Sequence, residues 1–190
     1  MASTTSKSYT RVAIALHWVM ALLIIGQIAG GKVMHAMDPA PAKYELFQLH
    51  KSFGITILIL SVARLIWRLT HRPPALPSGM KPFERLGAKL SHIGFYVFMI
   101  GTPIAGWILV SSTPQQITTK LFKTIIWPDF PGITRSEALS EQMSSVHEYM
   151  AIAIVILLAL HIGAALKHHF VNRDDVLSRM IPAMKPKGEL

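Results

Sequence analysis

The sequence predicts an all-α integral membrane protein: a four-helix bundle, one domain over residues 1–190, with both termini cytoplasmic. Three observations predict it. Hydrophobic residues make up 51% of the chain and charged residues 15%, against about 25% charged in an ordinary soluble domain. Four apolar runs each approach or exceed the roughly 20 residues that cross a bilayer. Lysine and arginine gather at alternate ends of those runs, as the positive-inside rule requires.

The first run, approximately 12–31, reads VAIALHWVMALLIIGQIAGG and carries His17 and Trp18 near its start. Lys7 and Arg11 precede it in a polar N-terminal segment with no cleavage pattern, so the run reads as a retained span. A short polar loop from Lys32 to about Glu45 holds Pro39 and Pro41. The second span, approximately 46–69, has His50 near its start. Arg64 and Arg68 stand near its end, four residues apart and so on one helical face. A basic, proline-rich connection, 70–82, leads to the third span, approximately 83–110. That span holds His92, and Pro103 lies between Gly101 and Gly106, where a kink or a close approach is expected. The loop Ser111–Ser145 is too poor in apolar residues to span and is expected to supply an interfacial helix or a lid. The fourth span, approximately 146–170, carries His147 and His161, and a basic tail follows from Lys167.

The net charge of +9 does not indicate nucleic acid, because the basic residues cap apolar runs and no basic stripe is interleaved with aromatics. They concentrate in the N-terminal segment, the 70–82 connection with its flanks, and the tail. This places both termini in the cytoplasm. Cysteine is absent, which excludes disulfides, cysteine-ligated clusters and covalent C-x-x-C-H haem attachment; any haem is held non-covalently. Nine histidines and ten methionines remain as ligands.

The orientation converts spacing into depth. His147 and His161 are fourteen residues apart, so they share a helix face and differ in height by roughly 21 Å. His50 and His147 fall at the outer level; His17, His92 and His161 fall at the inner one. A bundle holds cofactors between facing side chains. Two bis-histidine haems fit: an outer one on His50 and His147, and an inner one on His161 with either His17 or His92. Depth favours His17. A single intramembrane histidine often does no more than bond a neighbouring helix, and zinc competes as a metal. Zinc, however, takes four ligands at one point, whereas these histidines divide into two levels. His35 and His71 read as solvated loop residues.

These pieces resemble the bacterial cytochrome b561 family, a group akin to the cytochrome b subunits of nickel hydrogenases and formate dehydrogenases. The matching segments are ALHW (15–18), HKSFG (50–54) with ARLIWR (63–68), SHIGFY (91–96), HE (147–148), LHIGAALKHHF (160–170), and SRM (178–180) followed by Pro182. They occur in family order over nearly the whole chain. The resemblance implies a di-haem protein of the bacterial inner membrane with axial pairs His17/His161 and His50/His147. It also implies a link to membrane quinone, ubiquinone being the expected acceptor. One protein of this kind is known to pass electrons from superoxide to ubiquinone.

The expected function is therefore electron transfer between an outer-side donor and quinone in the bilayer. Superoxide or another periplasmic donor would approach the outer haem, and Lys51, Lys120 and Lys123 are candidates to attract an anion. Arg64, Arg68 and Lys167 are candidate partners for inner-haem propionates. His92 and His168 are candidates for a quinone or proton site, and Glu148 for orienting its neighbour His147. Two alternatives belong to other classes: a cytochrome subunit serving a separate dehydrogenase or hydrogenase, and a non-redox metal-binding membrane protein.

Overall fold

The computed structural model describes residues 8–184. Lys7, Lys185 and Lys187, which contributed to the charge asymmetry, lie outside the described residues. Four helices carry the chain: α1, Arg11–Ala36; α2, Pro41–Thr70; α3, Pro82–Ser112; and α4, Glu137–Lys167. Each is long and apolar enough to cross a membrane. Between α3 and α4 lies a two-stranded antiparallel hairpin, β1 (Thr119–Leu121) and β2 (Ile125–Trp127), with Thr119 opposite Trp127.

Local chemistry sets the helix ends. Thr10 caps α1, its hydroxyl accepting from the Ala13 amide at 3.2 Å. Pro41 and Pro82 open α2 and α3 at positions where no amide hydrogen is needed. Glu84 accepts from the Lys81 amide at 3.0 Å. Ser136 caps α4 at the Leu139 amide, 3.3 Å away.

These caps account for the departures from the expected boundaries. Pro41 starts α2 early, so the loop expected at Lys32–Glu45 contracts to residues 37–40, and His35 lies in the last turn of α1. Ser136 starts α4 nine residues ahead of the apolar run, because its side chain caps the helix at the Leu139 amide. The α3 helix runs on through Pro103. In place of an interfacial helix, the 111–145 connection builds the hairpin.

The helices pack in chain order: α1 on α2, α2 on α3, α3 on α4. The α3–α4 seam is the tightest, because glycine lets the backbones approach. A Cβ on Gly94 would stand 3.2 Å from Leu157, and one on Gly101 would stand 3.0 Å from Met150. The α4 helix approaches neither α1 nor α2 so closely, and that difference leaves room between facing side chains. The outward faces are apolar and exposed, as at Leu22, Ile59, Val97, Ile156 and Leu160, which suits a surface solvated by lipid tails.

The core is a small apolar cluster of Met20, Ile24, Ile57, Met99 and Ile154 at mid-bundle. Ile154 lies seven residues from both His147 and His161, so the cluster separates the two histidine levels.

Buried serines pin the outer loop. Ser52 is 1% exposed and its hydroxyl accepts from the Phe122 amide at 2.9 Å. Ser111 accepts from the Phe130 amide at 2.8 Å. Gln48 brackets β1, donating to the Thr118 carbonyl at 3.0 Å and accepting from the Lys120 amide at 3.2 Å. Together these bonds hold a turn in which Phe122 (φ 47°) and Lys123 (φ 66°) take left-handed backbone, the handedness a tight hairpin needs.

At the opposite end the chain after α4 folds back under the bundle. A π-helical turn, His168–Asn172, leads to residues whose Met180 carbonyl accepts from the Trp18 indole at 3.0 Å.

Candidate functional site

The structure brings the intramembrane histidines together at two levels. At the outer level the rings of His50 on α2 and His147 on α4 have centroids 6.1 Å apart at an interplanar angle of 69°. At the inner level His17 on α1 and His161 on α4 are also 6.1 Å apart, at 54°. Two imidazoles that bind one metal from opposite sides, with metal–nitrogen bonds of about 2 Å, place their ring centres about 6 Å apart. Both separations fit that arrangement.

The outer pair is set by backbone. His147 Nδ1 lies 2.9 Å from the Thr102 carbonyl of α3. A carbonyl only accepts, so Nδ1 carries the proton and Nε2 presents its lone pair, the tautomer a metal ligand needs. Gly106 makes this approach possible: a Cβ there would stand 3.0 Å from two atoms of the His147 ring. On the other side Gln27 donates to the His50 carbonyl at 2.7 Å, tying α1 to α2 at the height of that histidine. Around the pair is a cavity of about 850 Å³ bounded by all four helices and the hairpin. That volume falls within the range of about 300–1,000 Å³ typical of ligand sites.

The inner level holds three histidines. His92 on α3 is 6.4 Å from His161, close to the His17 separation. Packing separates the two candidates. His92 and His161 lie on either side of the closed α3–α4 seam, where Gly94 already meets Leu157. His17 faces His161 across the wider α1–α4 space. Phe95 sets its ring edge-on to His161 with centroids 5.3 Å apart.

The other expected residues divide by their surroundings. Arg64 stands in the inner site, its guanidinium 3.2 Å from His17 Nδ1. Arg68 is half-buried one turn further on. Lys167 pairs with Glu84 of α3, so its charge is committed away from a propionate. His168 is buried, with Nδ1 2.5 Å from Asp174 and Asn172 close by, in the folded-back segment and clear of the histidine cluster.

Lys51 departs from the expectation that it presents its charge to an anion at the surface. Its ammonium is buried, 4.8 Å from the Phe47 ring centroid and without a hydrogen-bond partner among the described residues. The hairpin is bonded to α2 on either side of Lys51 in sequence, at Gln48 and Ser52. Lys120 is exposed on that hairpin, and Lys123 is paired with Glu45 at 2.6 Å. Glu148 is exposed beside the cavity.

The close approach expected between Gly101 and Gly106 is made by the His147 ring at Gly106; sequence reasoning missed Thr102 as the acceptor for His147, Gln27 as the tie to His50, and Trp127 as a cavity wall. Gly106 had a signal, since it follows Gly101 by five residues in a helix that also contains proline. Trp127 had none, because its position depends on the hairpin. Among the described residues no group of three or more His, Cys, Asp or Glu side chains converges to hold a bare metal ion.

The family model for prokaryotic cytochrome b561 matches residues 8–183. The chain is 29% identical over 181 residues to cytochrome b561 homolog 2 of Escherichia coli K12, covering 94% of each. It is 30% identical over 188 residues to the probable superoxide oxidase CybB of Yersinia pestis, covering 93% of this chain and 97% of that one. It is 25% identical over 189 residues to cytochrome b562 of Cereibacter sphaeroides, covering 97% and 99%. Four spanning helices, intramembrane histidines facing one another and a match over almost the full length agree. The chain belongs to the prokaryotic cytochrome b561 family, membrane-spanning electron carriers that bind haem b.

Proposed function

We propose that this protein is a di-haem b cytochrome of the bacterial inner membrane, its chain acting as a single unit with both termini cytoplasmic. It moves electrons from an outer-side donor, superoxide being the favoured one, to ubiquinone. The observation that carries this reading is the matched pair of histidine separations, each 6.1 Å, at two heights of one helix.

His50 and His147 would hold the outer haem, and His17 and His161 the inner one. Iron held by two imidazoles supplies one-electron transfer and has no open position for oxygen. The chain's own residues do the rest. The Thr102 carbonyl fixes the His147 tautomer, and Gly106 gives the ring its place. The Ile154 cluster keeps water out of the space between the levels. Arg64 and Arg68 supply positive charge at the inner level. His92 remains the group at that level suited to quinone binding, and His168, bonded to Asp174 in the folded-back segment, is suited to proton delivery from the end of the bundle.

The stoichiometry closes without a further reactant. Two superoxide anions give up one electron each and leave as dioxygen; one quinone takes the two electrons and two protons to become quinol. The relative in Yersinia pestis named a probable superoxide oxidase supports this choice of donor.

The test is the haem content of the purified chain with reduced-minus-oxidised spectra, for wild type, His50→Ala and His161→Ala. Two non-covalent haems, one lost in each variant, support the assignment. A colourless chain, or haem indifferent to both changes, overturns it. Quinol formation by the isolated chain on adding superoxide supports the donor. Activity only with a co-purifying dehydrogenase would assign the chain as a subunit instead.

A further inference from the structure

Four residues lining the outer cavity bury a polar side-chain atom with no partner among the described residues: His50, Thr102, Lys51 and Trp127; the last two can only donate. Lys51 Nζ and Trp127 Nε1 are both buried, and neither has a partner among the described residues. Both residues line the cavity that holds His50 and His147. They reach it from different elements, Lys51 from α2 and Trp127 from β2. Near Lys51 along α2, Gln48 accepts from the Lys120 amide of β1 and Ser52 accepts from the Phe122 amide in the turn after it, and β1 pairs Thr119, another cavity residue, with Trp127. The hairpin is thereby fastened as a roof over the cavity, with its indole and the ammonium of Lys51 beneath it.

An ammonium carries three donors and an indole one, and neither can accept. A buried, unpaired cation is expensive; the Phe47 ring face beside it offsets only part of that cost. Among the described residues the one acidic side chain lining the cavity, Glu148, is exposed and makes no ion pair with Lys51. The site therefore asks for an acceptor-only, negatively charged group supplied from within the cavity. A carboxylate has that character.

We propose that Lys51 and Trp127 form a carboxylate-binding site that takes a propionate of the outer haem, so that Lys51 acts as a haem anchor and not as a surface attractor for the electron donor. This rests on the two-haem reading. It explains why a lysine directly follows a ligand histidine at membrane depth, and it gives the hairpin a purpose: closing the polar edge of the cofactor site. Its consequence is electrostatic. A fixed cation beside the haem edge favours the reduced form, so Lys51 raises the potential of the outer haem.

The experiment compares full-length wild type, Lys51→Met, Lys51→Arg and Trp127→Phe in two-wave redox titrations and in resonance Raman spectra of the propionate bending modes. His161→Ala identifies the outer wave. The expected result is a fall in the outer potential in Lys51→Met with the inner one unmoved, a shift of one propionate band in Lys51→Met and in Trp127→Phe, and near wild-type behaviour in Lys51→Arg. Reconstitution with haem dimethyl ester, which lacks the carboxylates, should abolish the difference between wild type and Lys51→Met.

Two bound haems with outer potential and bands unchanged in both Lys51→Met and Trp127→Phe would overturn the anchor and leave the two-haem reading standing. A wild-type chain without haem would overturn the two-haem reading itself. Should Lys51→Met fail to fold, Trp127→Phe decides the matter through the same band: a shift supports the anchor and an unchanged band overturns it.

Discussion

His147 donates through Nδ1 to the backbone carbonyl of Thr102, 2.9 Å away across the α3–α4 seam. No side-chain substitution removes that acceptor, so the orientation of the ring is built into the path of α3. What a substitution can remove is the space. Gly106→Ala puts a methyl group 3.0 Å from the ring, tighter than nearly all real contacts of a Cβ, so the imidazole has to give by a few tenths of an ångström. Its expected cost is about 1–3 kcal/mol of strain, relieved by displacing the imidazole. The outer haem should then be lost, or its spectrum altered, while the inner one stays. Haem quantification and low-temperature spectra of the variant check this.

The inner level offers a sharper choice. His17 and His92 lie at 6.1 and 6.4 Å from His161, which distance alone does not separate. The closed α3–α4 seam does. His17→Ala is expected to lose the inner haem and His92→Ala to keep both, with any defect of His92→Ala appearing in quinone reduction. One haem per chain in His92→Ala and two in His17→Ala would reverse the assignment.

Much of this was legible in the sequence, for a physical reason. Hydropathy fixes depth in a membrane, and a spacing of fourteen residues returns a side chain to the same face. The two levels of His147 and His161 therefore follow from sequence alone. Depth is one coordinate only. The equidistance of His17 and His92 from His161 depends on how the helices are arranged around α4, and no periodicity encodes that. Lys51 shows the same limit: its position along α2 placed it near the outer surface, but its ammonium is buried in a cavity it shares with Trp127 of a hairpin held by Ser52 and Gln48 from about seventy residues away.

That recruitment is testable apart from the cofactor. Ser52→Ala removes the hydroxyl that accepts from the Phe122 amide and leaves a turn with two left-handed non-glycine residues less restrained. The expected loss is about 1 kcal/mol of local stability, a roughly five-fold rise in hairpin opening. Hydrogen exchange over 119–127 should accelerate by about that factor, with the transmembrane helices unchanged. Exchange equal to wild type would show that Gln48 and Ser111 suffice.

If superoxide is the donor, the exposed cation on the hairpin matters more than the buried one. Lys120 faces solvent, whereas Lys123 is already paired with Glu45. Lys120→Glu should slow superoxide-driven quinone reduction several-fold at low salt, and the difference should shrink as ionic strength rises. Stopped-flow rates at two salt concentrations measure it. An unchanged rate would place the approach of the anion elsewhere on the outer surface.

The last prediction concerns Arg64. Its guanidinium stands 3.2 Å from His17 Nδ1. A guanidinium only donates, so Nδ1 accepts in this arrangement. Ligation of iron through Nε2 requires the opposite, a proton on Nδ1. If His17 holds a haem, as proposed, Arg64 would have to turn away from the ring, and a propionate oxygen would be its natural new partner. Arg64 would then stand beside the cofactor as a fixed cation. Arg64→Leu should lower the inner potential by about 1–2 kcal/mol, on the order of 50–100 mV for one electron. Arg64→Lys should recover most of it by keeping the charge, and the outer potential should move in neither. A redox titration resolves the two waves. An inner potential unchanged in Arg64→Leu would mean that the arginine leaves the site when the haem enters, and that Arg68 alone supplies the charge at that level.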